Sequence, residues 1–360
     1  MNTRIQSKRV TIQDVAAAAG VTKSTVSLAL AGKGNFSPET RQAIQLAAER
    51  LKYKPNPLAR RLSTGRDDRT VALFTLRLDL SVGTKKMQLL QNQLAADGFE
   101  APLYTPGSEF GSDAPELLTL IKSICQQQPR AMICNIHGLS AVALKELQRY
   151  QDEGGLLVCY DDRTDLMVDS VVFDREDNTY QAVRHLLELG HRDIGMACSS
   201  GLRGERYQGF ERAMKEFDLK PRREWLLGSE VVDDAGLYSG LYVEGGVRLA
   251  QLFLKLKKRP TAVCLMDDSA AVGFAAELER AGVRVPEEVS VIGHDNLPIA
   301  QYGPLPLTTV THPVEDIVAS VVELLQSRLQ GYDGPPRKII IRGELIVRES
   351  TRPLAVLSRV

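Results

Sequence analysis

From Thr70 onward, short apolar segments of the sequence alternate with amphipathic stretches. The apolar segments are VALFTL, AMICNI, LLVCY, DIGMAC, TAVCLM and VSVIG, and helical stretches lie between them at 85–97, 140–153, 177–189, 205–217 and 268–281. Strand-length apolar runs separated by helix-length segments are typical of doubly wound parallel sheets, which bind ligands at the carboxyl ends of their strands. We therefore predict an α/β body made of two doubly wound parallel-sheet subdomains.

The charge of the chain is divided unevenly between its two parts. Basic and acidic side chains number 45 each over 360 residues, so the formal net charge is zero. Residues 1–66 nevertheless hold 12 basic and 3 acidic side chains, a charge of +9 that the rest of the chain balances with −9. A small basic head on an acidic body indicates a polyanionic partner for the head.

Features that the sequence lacks disfavour several protein classes. The segment Met1–Val10 has no apolar core of a signal peptide, and no apolar run approaches the ~20 residues of a membrane span. The five cysteines lack metal-ligand spacing and fit buried thiols in a reducing compartment: Cys125, Cys134, Cys159, Cys198 and Cys264. We expect a cytoplasmic protein with no membrane partner, no metal site and no cofactor.

Residues 11–54 read as three short helices. Thr11 caps the first, with Asp14 three residues later in a capping-box position, and Gly20 ends it. Thr22 caps a second helix over about 23–30, and Ser37 caps a third that begins with a proline. Two short helices joined by a tight turn at a glycine predict a helix-turn-helix, and the fold class is therefore a small all-α head on an α/β body.

The second helix is the predicted DNA-reading element. Lys23, Ser24 and Thr25 lie at its amino-terminal end and are exposed by helical phase, whereas Val26, Ala29 and Leu30 are expected to pack inward. In a helix-turn-helix these first residues approach base edges in the major groove. A small helical domain with a solvated basic face is the alternative, and the spacing of cap, glycine and cap disfavours it.

A long signature runs through the head and continues into the body. It comprises VTIQDVA at 10–16, AGVTKSTVS at 19–27, SPETR at 37–41, Pro55-Asn56 and Ala59-Arg60, then LGHR at 189–192, VSVIG at 289–293 and PLTTV at 306–310. On these residues nearly the whole chain resembles the LacI/GalR family of bacterial transcriptional repressors.

The resemblance implies a domain organisation. It places the helix-turn-helix domain at 1–55, a hinge helix and linker at 56–69, and an effector-binding and dimerisation body at 70–360. The body is expected to be periplasmic-binding-protein-like, with one subdomain at about 70–173 plus 304–344 and the other at about 174–303 plus 345–360. A homodimer bound to operator double-stranded DNA is the implied assembly.

The resemblance also assigns DNA-contacting positions in the head and hinge. These are Thr11, Thr22, Lys23, Ser24, Thr25, Ser27, Leu28, Asn56, Ala59, Arg60 and Leu62. Many relatives carry a guanine-reading arginine where this chain has Leu28, so its half-site is expected to differ, with apolar contact to a thymine methyl as a substitute. Leu62 is expected to wedge into a minor-groove step; for Arg60, a flexible basic linker is the competing interpretation.

Effector contacts carry over to the body residue by residue. Arg206 and Asp295 occupy positions where relatives grip effector oxygens and hydroxyls, and Asp267 stands where an asparagine is usual. Asp161 and Tyr242 are weaker candidates. Arginine and aspartate around a cleft suit a sugar, because their hydrogen bonds to hydroxyls are charge-assisted. The added carboxylates leave a cationic or amino-bearing ligand as the alternative.

An enzyme and an exported solute-binding protein are the rival classes. The glycines at 201, 204 and 209 are not followed by Gly-Lys-Ser/Thr, and the paired aspartates at 161–162, 233–234 and 267–268 lack a nucleophile–base set, so no catalytic residue is predicted. An exported binding protein requires a signal peptide and leaves the helix-turn-helix unexplained. We predict a DNA-binding regulator, a repressor by the resemblance, under allosteric control by a small molecule.

Overall fold

A computed structural model describes residues 11–30, 34–51, 53, 67–76, 78, 81–106, 115–136, 139–197, 204–228 and 242–354. The chain divides into two compact units, residues 1–68 and 69–360. The predicted hinge positions Asn56, Ala59, Arg60 and Leu62 lie outside the described residues.

The first unit contains the three predicted helices. They are α1 (Ile12–Ala19), α2 (Lys23–Leu30) and α3 (Pro38–Arg50). The backbone nitrogen of Thr11 donates to Asp14 Oδ2 at 2.7 Å, and Gly20 ends α1 in the left-handed region with φ 66°. Ser37 caps α3 by accepting a hydrogen bond from the Thr40 backbone nitrogen at 3.3 Å. The predicted caps therefore set the helix ends.

A small apolar core holds these helices together. Its fully buried members are Val15, Ala16, Val26, Ile44 and Ala47. The prediction that Leu30 packs inward is wrong, because this side chain is 38% exposed at the end of α2.

The second unit consists of two α/β lobes. The first lobe contains β1 (Asp67–Phe74), α4 (Ser81–Ala96), β2 (Leu103–Tyr104), α5 (Pro115–Gln126), β3 (Pro129–Asn135), α6 (Ala141–Asp152), β4 (Leu156–Asp161), β5 (Asp169–Phe173), α12 (Val314–Leu329) and β11 (Lys338–Ile341). Its strands form one sheet in the order β11-β5-β4-β3-β1-β2. Apolar clusters cover both faces of this sheet, as the continuous apolar strands require.

The second lobe is built in the same manner. It contains α7 (Arg175–Glu188), β6 (Ile194–Ala197), α8 (Glu205–Glu216), β7 (Leu226–Leu227), α9 (Tyr242–Leu254), β8 (Ala262–Cys264), α10 (Asp268–Arg280), β9 (Ser290–Asp295), α11 (Pro298–Tyr302), β10 (Thr308–Thr311) and β12 (Leu345–Ile346). The sheet order is β12-β10-β9-β8-β6-β7, and only β12 pairs antiparallel among the described strands. A helical head and a body of two parallel-sheet lobes confirm the predicted fold class.

The chain passes between the lobes three times, after β5, after β10 and after β11. The prediction that residues 304–344 belong wholly to the first subdomain is wrong, because β10 pairs parallel with β9, with Thr309 opposite Gly293. The first lobe also begins at Asp67, three residues before the predicted boundary at 70. The second crossing therefore comes at His312, between β10 and α12.

Two further properties concern the described ranges alone. None of their helices has the length and apolar character needed to cross a membrane. Within the same ranges, four of the cysteines are buried: Cys125, Cys134, Cys159 and Cys264. Burial raises the pKa of the Cys159 thiol to about 12, so this cysteine is an inert core residue.

Candidate functional site

The amino-terminal end of α2 presents the predicted DNA-reading side chains. Thr22, Lys23, Ser24 and Ser27 are exposed, and Thr25 is half-buried. Thr22 caps the helix, because its Oγ1 accepts a hydrogen bond from the Thr25 backbone nitrogen at 3.1 Å. The cap holds the first turn in place, with hydroxyl and ammonium groups facing solvent where base edges and phosphates are read.

Leu28 adds an apolar group to the exposed surface of α2. Its side chain is 44% exposed, one turn beyond Ser24. Thr11, before α1, is also exposed, and its hydroxyl donates to Asp14 Oδ2 at 2.8 Å. This arrangement fits the predicted contact of Leu28 with a thymine methyl, and the DNA-contacting assignments of the head stay predictions.

The strand ends of the body carry the predicted effector residues. Asp161 ends β4 in the first lobe and Asp295 ends β9 in the second, and both have left-handed backbones, with φ 74° and 95°. Non-glycine residues in this region are strained, and such residues concentrate at functional sites. Asp267 follows β8, and Arg206 lies in the first turn of α8.

A buried ion pair holds Asp161 in the first lobe. Lys86 Nζ, on α4, lies 2.6 Å from both carboxylate oxygens of Asp161, and the two side chains are only 2% and 7% exposed. Asn135, at the end of β3, donates to Asp161 Oδ2 at 3.0 Å. Although burial alone raises the pKa of Asp161, the nearby Lys86 and Arg175 cations hold it below its usual value. Asp161 is therefore a fixed, ionised acceptor.

Two further ion pairs lie beside it. Arg175, the first residue of α7, donates to the Asp161 carbonyl at 2.9 Å and to Asp162 Oδ1 at 2.6 Å. Arg163, in the loop after β4, lies 3.1 Å from Glu205 Oε1 at the start of α8. Both pairs join the two lobes directly.

Asp295 is held by a histidine at the second crossing between the lobes. His312 Nδ1 lies 3.1 Å from Asp295 Oδ1, and its ring stacks on Phe173 with a centroid distance of 3.9 Å. Burial is the main cause that lowers the pKa of His312 to about 4, so the ring is neutral at pH 7 and donates from Nδ1. This hydrogen bond and the nearby Arg206 lower the pKa of Asp295 to about 2, despite its burial.

Arg206 and Asp267 each keep a buried polar atom without a partner among the described residues. These atoms are Arg206 Nη1 and Asp267 Oδ2. The other oxygen of Asp267 caps α10 by accepting a hydrogen bond from the Ala270 backbone nitrogen at 2.9 Å. Burial raises the pKa of Asp267 to about 6; the Asp295 charge adds to the rise and the Arg206 charge opposes it. The structure thus brings Arg206, Asp267 and Asp295 together as one charged group.

The neighbouring Asp268 has a structural position instead. Its Oδ1 accepts from Thr309 Oγ1 at 2.7 Å and its Oδ2 from the Leu297 backbone nitrogen at 2.7 Å. Both oxygens are therefore occupied in joining α10 to β10 and to the start of α11. Tyr242 is half-buried at the first residue of α9, with φ 66°, and its assignment to the effector site stays a prediction.

Sequence reasoning missed Lys86, Asn135, Arg175 and His312. The burial of Lys86 could have been predicted from the sequence, because Lys86, Leu90 and Leu94 follow one another at four-residue spacing on one face of α4. A lysine in the apolar phase of a helix indicates a buried charge that needs a partner. The charged and polar residues that meet between the lobes are called the interlobe site below. They are Lys86, Asn135, Asp161, Asp162, Arg163, Arg175, Glu205, Arg206, Asp267, Asp295 and His312.

Comparison with known proteins agrees with this geometry. The model of bacterial regulatory proteins of the lacI family matches residues 11–56, and the periplasmic binding protein-like domain matches residues 183–351. The HTH-type transcriptional repressor PurR of Vibrio parahaemolyticus is 28% identical over 355 residues, covering 96% of this chain and 99% of the relative. PurR of Pectobacterium carotovorum is 27% identical over 350 residues, covering 94% and 96%.

Two solved structures share the architecture over almost the whole chain. A complex of the transcriptional regulator CelR with cellobiose has a TM-score of 0.66 at 27% identity and covers 95% of this chain and 100% of that one. A lac repressor dimer bound to operator and the anti-inducer ONPF has a TM-score of 0.72 at 21% identity, covering 96% and 100%. At this identity, the similarity to the lac repressor shows a shared fold. On its helix-turn-helix head, its two-lobed body and these matches, the chain joins a lacI-family DNA-binding domain to a periplasmic binding protein-like domain and is a DNA-binding transcriptional regulator.

Proposed function

We propose that this protein is a homodimeric transcriptional repressor of the cytoplasm that binds operator DNA under the control of a sugar or sugar derivative. The observation that carries the proposal is the pair of buried, unpartnered atoms, Arg206 Nη1 and Asp267 Oδ2, in a chain whose α2 exposes a DNA-reading end. The first is a donor and the second an acceptor, which is what a hydroxylated ligand needs. Nothing in the proposal requires a catalytic step.

The head supports binding to a specific duplex sequence. Lys23 and Ser24 are free to reach a groove because the cap at Thr22 and the packing of Val26 fix the helix from its other face. A two-fold dimer places two such helices on the two halves of a near-palindrome. The PurR relatives are named repressors, which favours repression over activation.

The body supports control by a ligand between the lobes. Charged groups from both lobes meet at the interlobe site, and Arg163 and Glu205 join the lobes at 3.1 Å. A ligand that binds one arrangement of the lobes more tightly shifts the population toward it, and the coupling to DNA is reciprocal, typically about 1–3 kcal/mol. The change reaches the head along the chain through the predicted hinge at 56–69. The bound cellobiose of the CelR relative favours a sugar as the ligand.

The proposal is tested by separating DNA binding from ligand response in the full-length protein. Fluorescence anisotropy on the DNA upstream of its own gene is measured with and without each member of a panel of mono- and disaccharides that includes cellobiose. Arg206→Ala is expected to bind DNA like the wild type and to lose the ligand response. Lys23→Ala is expected to keep ligand binding and to lose about 1–3 kcal/mol of specific DNA binding.

Arg280→Ala serves as the matched control, because this arginine is 73% exposed on α10 of the same lobe. It is expected to behave like the wild type in both measurements. An unaltered ligand response in Arg206→Ala contradicts the effector assignment. Equal losses by Lys23→Ala on operator and random duplexes show instead a phosphate contact without sequence reading.

A further inference from the structure

We infer that the effector carries a protonated amino group, which Asp267 binds, so that the ligand class is a hydroxylated amine such as an amino sugar. The inference rests on the proposed function, because it takes the interlobe site as the effector site. It goes further by assigning the ligand a charge.

Only one of the two carboxylate oxygens of Asp267 has a hydrogen-bond partner among the described residues. The side chain is 6% exposed, and its Oδ1 is committed to the Ala270 backbone nitrogen as the cap of α10. Its Oδ2 has no hydrogen-bond partner in the part of the chain that the structure describes. Buried polar atoms are almost always paired in folded proteins, and an unpaired carboxylate oxygen is costly, so this atom calls for a donor that arrives with the ligand.

The other carboxylates of the interlobe site already have donors on their side chains. Their side-chain pairs are Asp161 with Lys86 at 2.6 Å, Asp162 with Arg175 at 2.6 Å, Glu205 with Arg163 at 3.1 Å, and Asp295 with His312 at 3.1 Å. Asp267 differs because its donors among the described residues are backbone amides at the start of α10, those of Ser269 and Ala270. The interlobe site can therefore bind one further cation, at the Asp267 carboxylate.

The charge balance near Asp267 points the same way. Arg206 is the cation that acts on Asp267, whereas Asp295 is also acted on by Arg175 and Lys86, so Asp267 is the less compensated of the two carboxylates. Burial raises the pKa of Asp267 to about 6, which shows that the protein leaves its negative charge poorly compensated. A neutral hydroxyl supplies one hydrogen bond but no charge. An ammonium supplies both, and its hydrogen bonds to a carboxylate are charge-assisted.

Arg206 restricts the rest of the ligand. Its unpartnered Nη1 is a donor that carries positive charge, so it repels an ammonium and donates to a hydroxyl or ring oxygen. Arg206 Nη1 and Asp267 Oδ2 thus select a molecule with an amine at one position and an oxygen acceptor at another.

Isothermal titration calorimetry on the full-length protein tests this inference with matched pairs that differ by one group. The pairs are D-glucosamine with D-glucose, D-galactosamine with D-galactose, and D-mannosamine with D-mannose, measured at pH 7. In at least one pair the amine is expected to bind about 10- to 100-fold more tightly than its neutral partner, as a hydrogen bond to a charged group allows.

Asp267→Asn is the decisive variant. Asparagine caps a helix as well as aspartate does, so the fold of α10 is retained while the charge is removed. The preference for the amine is expected to fall to within about threefold in this variant, by loss of the charge-assisted bond. Asp333→Asn, a charge removal at an exposed position of the first lobe, is the matched control and is expected to keep the full preference.

The pH dependence provides a second readout. An ammonium binds the ionised form of Asp267, so amine affinity is expected to change by less than about twofold between pH 7 and 6 and to weaken by up to about tenfold per pH unit below 6. The affinity for a neutral sugar is expected to show no such decline. The affinity of the Asp267→Asn variant for the amine is also expected to stay unchanged as the pH falls.

The outcomes separate this inference from the proposed function. Equal or tighter binding of the neutral sugars, no binding of any amine, or an unchanged preference in Asp267→Asn overturns the amino-group assignment. If a neutral sugar from the panel also changes DNA affinity through Arg206, the proposed function stands without the inference. If an amine binds through Asp267 but leaves DNA affinity unchanged, the ligand class stands and the regulatory function fails.

Discussion

At the scale of single residues, burial decides what each charged side chain of the body can do. Lys86 and Asp161 are among the most deeply buried charges, and each is tolerable because of the other. Burial lowers the pKa of Lys86, and the Asp161 carboxylate opposes this effect. Asp267 lies in similar surroundings without a side-chain cation at bonding distance among the described residues. The same physical rule therefore explains why Asp161 is ionised and fully paired, whereas one oxygen of Asp267 has no partner among the described residues.

Removal of one member of the Lys86–Asp161 pair is expected to be far more harmful than removal of both. Lys86→Met keeps most of the length of the side chain but leaves the Asp161 carboxylate buried without its paired cation, at a cost of about 3–5 kcal/mol in the free energy of unfolding. The double variant Lys86→Met with Asp161→Asn is expected to recover most of this loss. Urea titrations of the three proteins measure the difference. A double variant no more stable than Lys86→Met contradicts the account.

At the scale of elements, backbone contact between helices fixes the second lobe. A Cβ atom on Gly273 of α10 would lie 2.0 Å from the Val243 carbonyl oxygen of α9, and one on Gly246 would lie 2.0 Å from the Ala270 carbonyl oxygen. Each helix thus contributes a glycine that lets the other approach. Because α10 begins at the cap made by Asp267, this packing also positions the interlobe site.

Gly273→Ala is expected to destabilise the body by about 1–3 kcal/mol, because the new methyl group overlaps a carbonyl oxygen that the helix cannot move cheaply. Helix propensity alone predicts the opposite sign, a gain of about 1 kcal/mol for alanine over glycine, so the direction is informative. Thermal unfolding measures it. Ala276→Ser, at an exposed position of α10, is the control and is expected to shift the stability by less than about 0.5 kcal/mol. A stabilised Gly273→Ala protein argues against the close approach.

Elements were more predictable from the sequence than contacts between them. Caps at Thr11, Thr22 and Ser37 predict the three head helices because the signal is local. The position of β10 was predicted wrongly because strand pairing is not local: it depends on the register that sets Thr311 opposite Asp295. The same register brings His312 to Asp295, and no short sequence pattern encodes that contact. Arg206, Asp267 and Asp295 followed from family landmarks, whereas Lys86 required knowing what its helix packs against.

At the scale of the whole body, two buried histidines link its stability to pH. Burial is the main cause that lowers the pKa of His312 to about 4 and that of His294 to about 3. Their folded-state pKa values lie below the unfolded value near 6.5, so the unfolded chain binds protons first as the pH falls. Stability from these groups is present above about pH 6.5 and is lost as the pH falls toward 4 and 3. The pKa values of Asp267 and Asp268 are instead raised, to about 6 and 8. The folded protein therefore binds these protons first, and their contribution to stability grows as the pH falls.

His312→Asn isolates one of these contributions, because the opposing aspartates are common to both proteins and cancel in the difference. The asparagine amide replaces the Nδ1 donor to Asp295 but does not titrate. Between pH 6.5 and about 4, the wild type is expected to lose about 1.4 kcal/mol per pH unit relative to the variant. Urea midpoints at four pH values measure the slope. A constant difference across this range contradicts the buried, neutral histidine.

The three crossings between the lobes have a consequence for the order in which the newly made chain folds. The head core is contained in residues 15–47, so it is complete early in synthesis. The first lobe has five of its strands by Phe173 but waits for α12 and for β11, which ends at Ile341. At translation rates of about 5–20 residues per second, that interval lasts roughly 10–30 seconds. The edge of β5 that β11 will cover stays unpaired meanwhile, so the ribosome releases a DNA-reading head well before the sensor that controls it is finished.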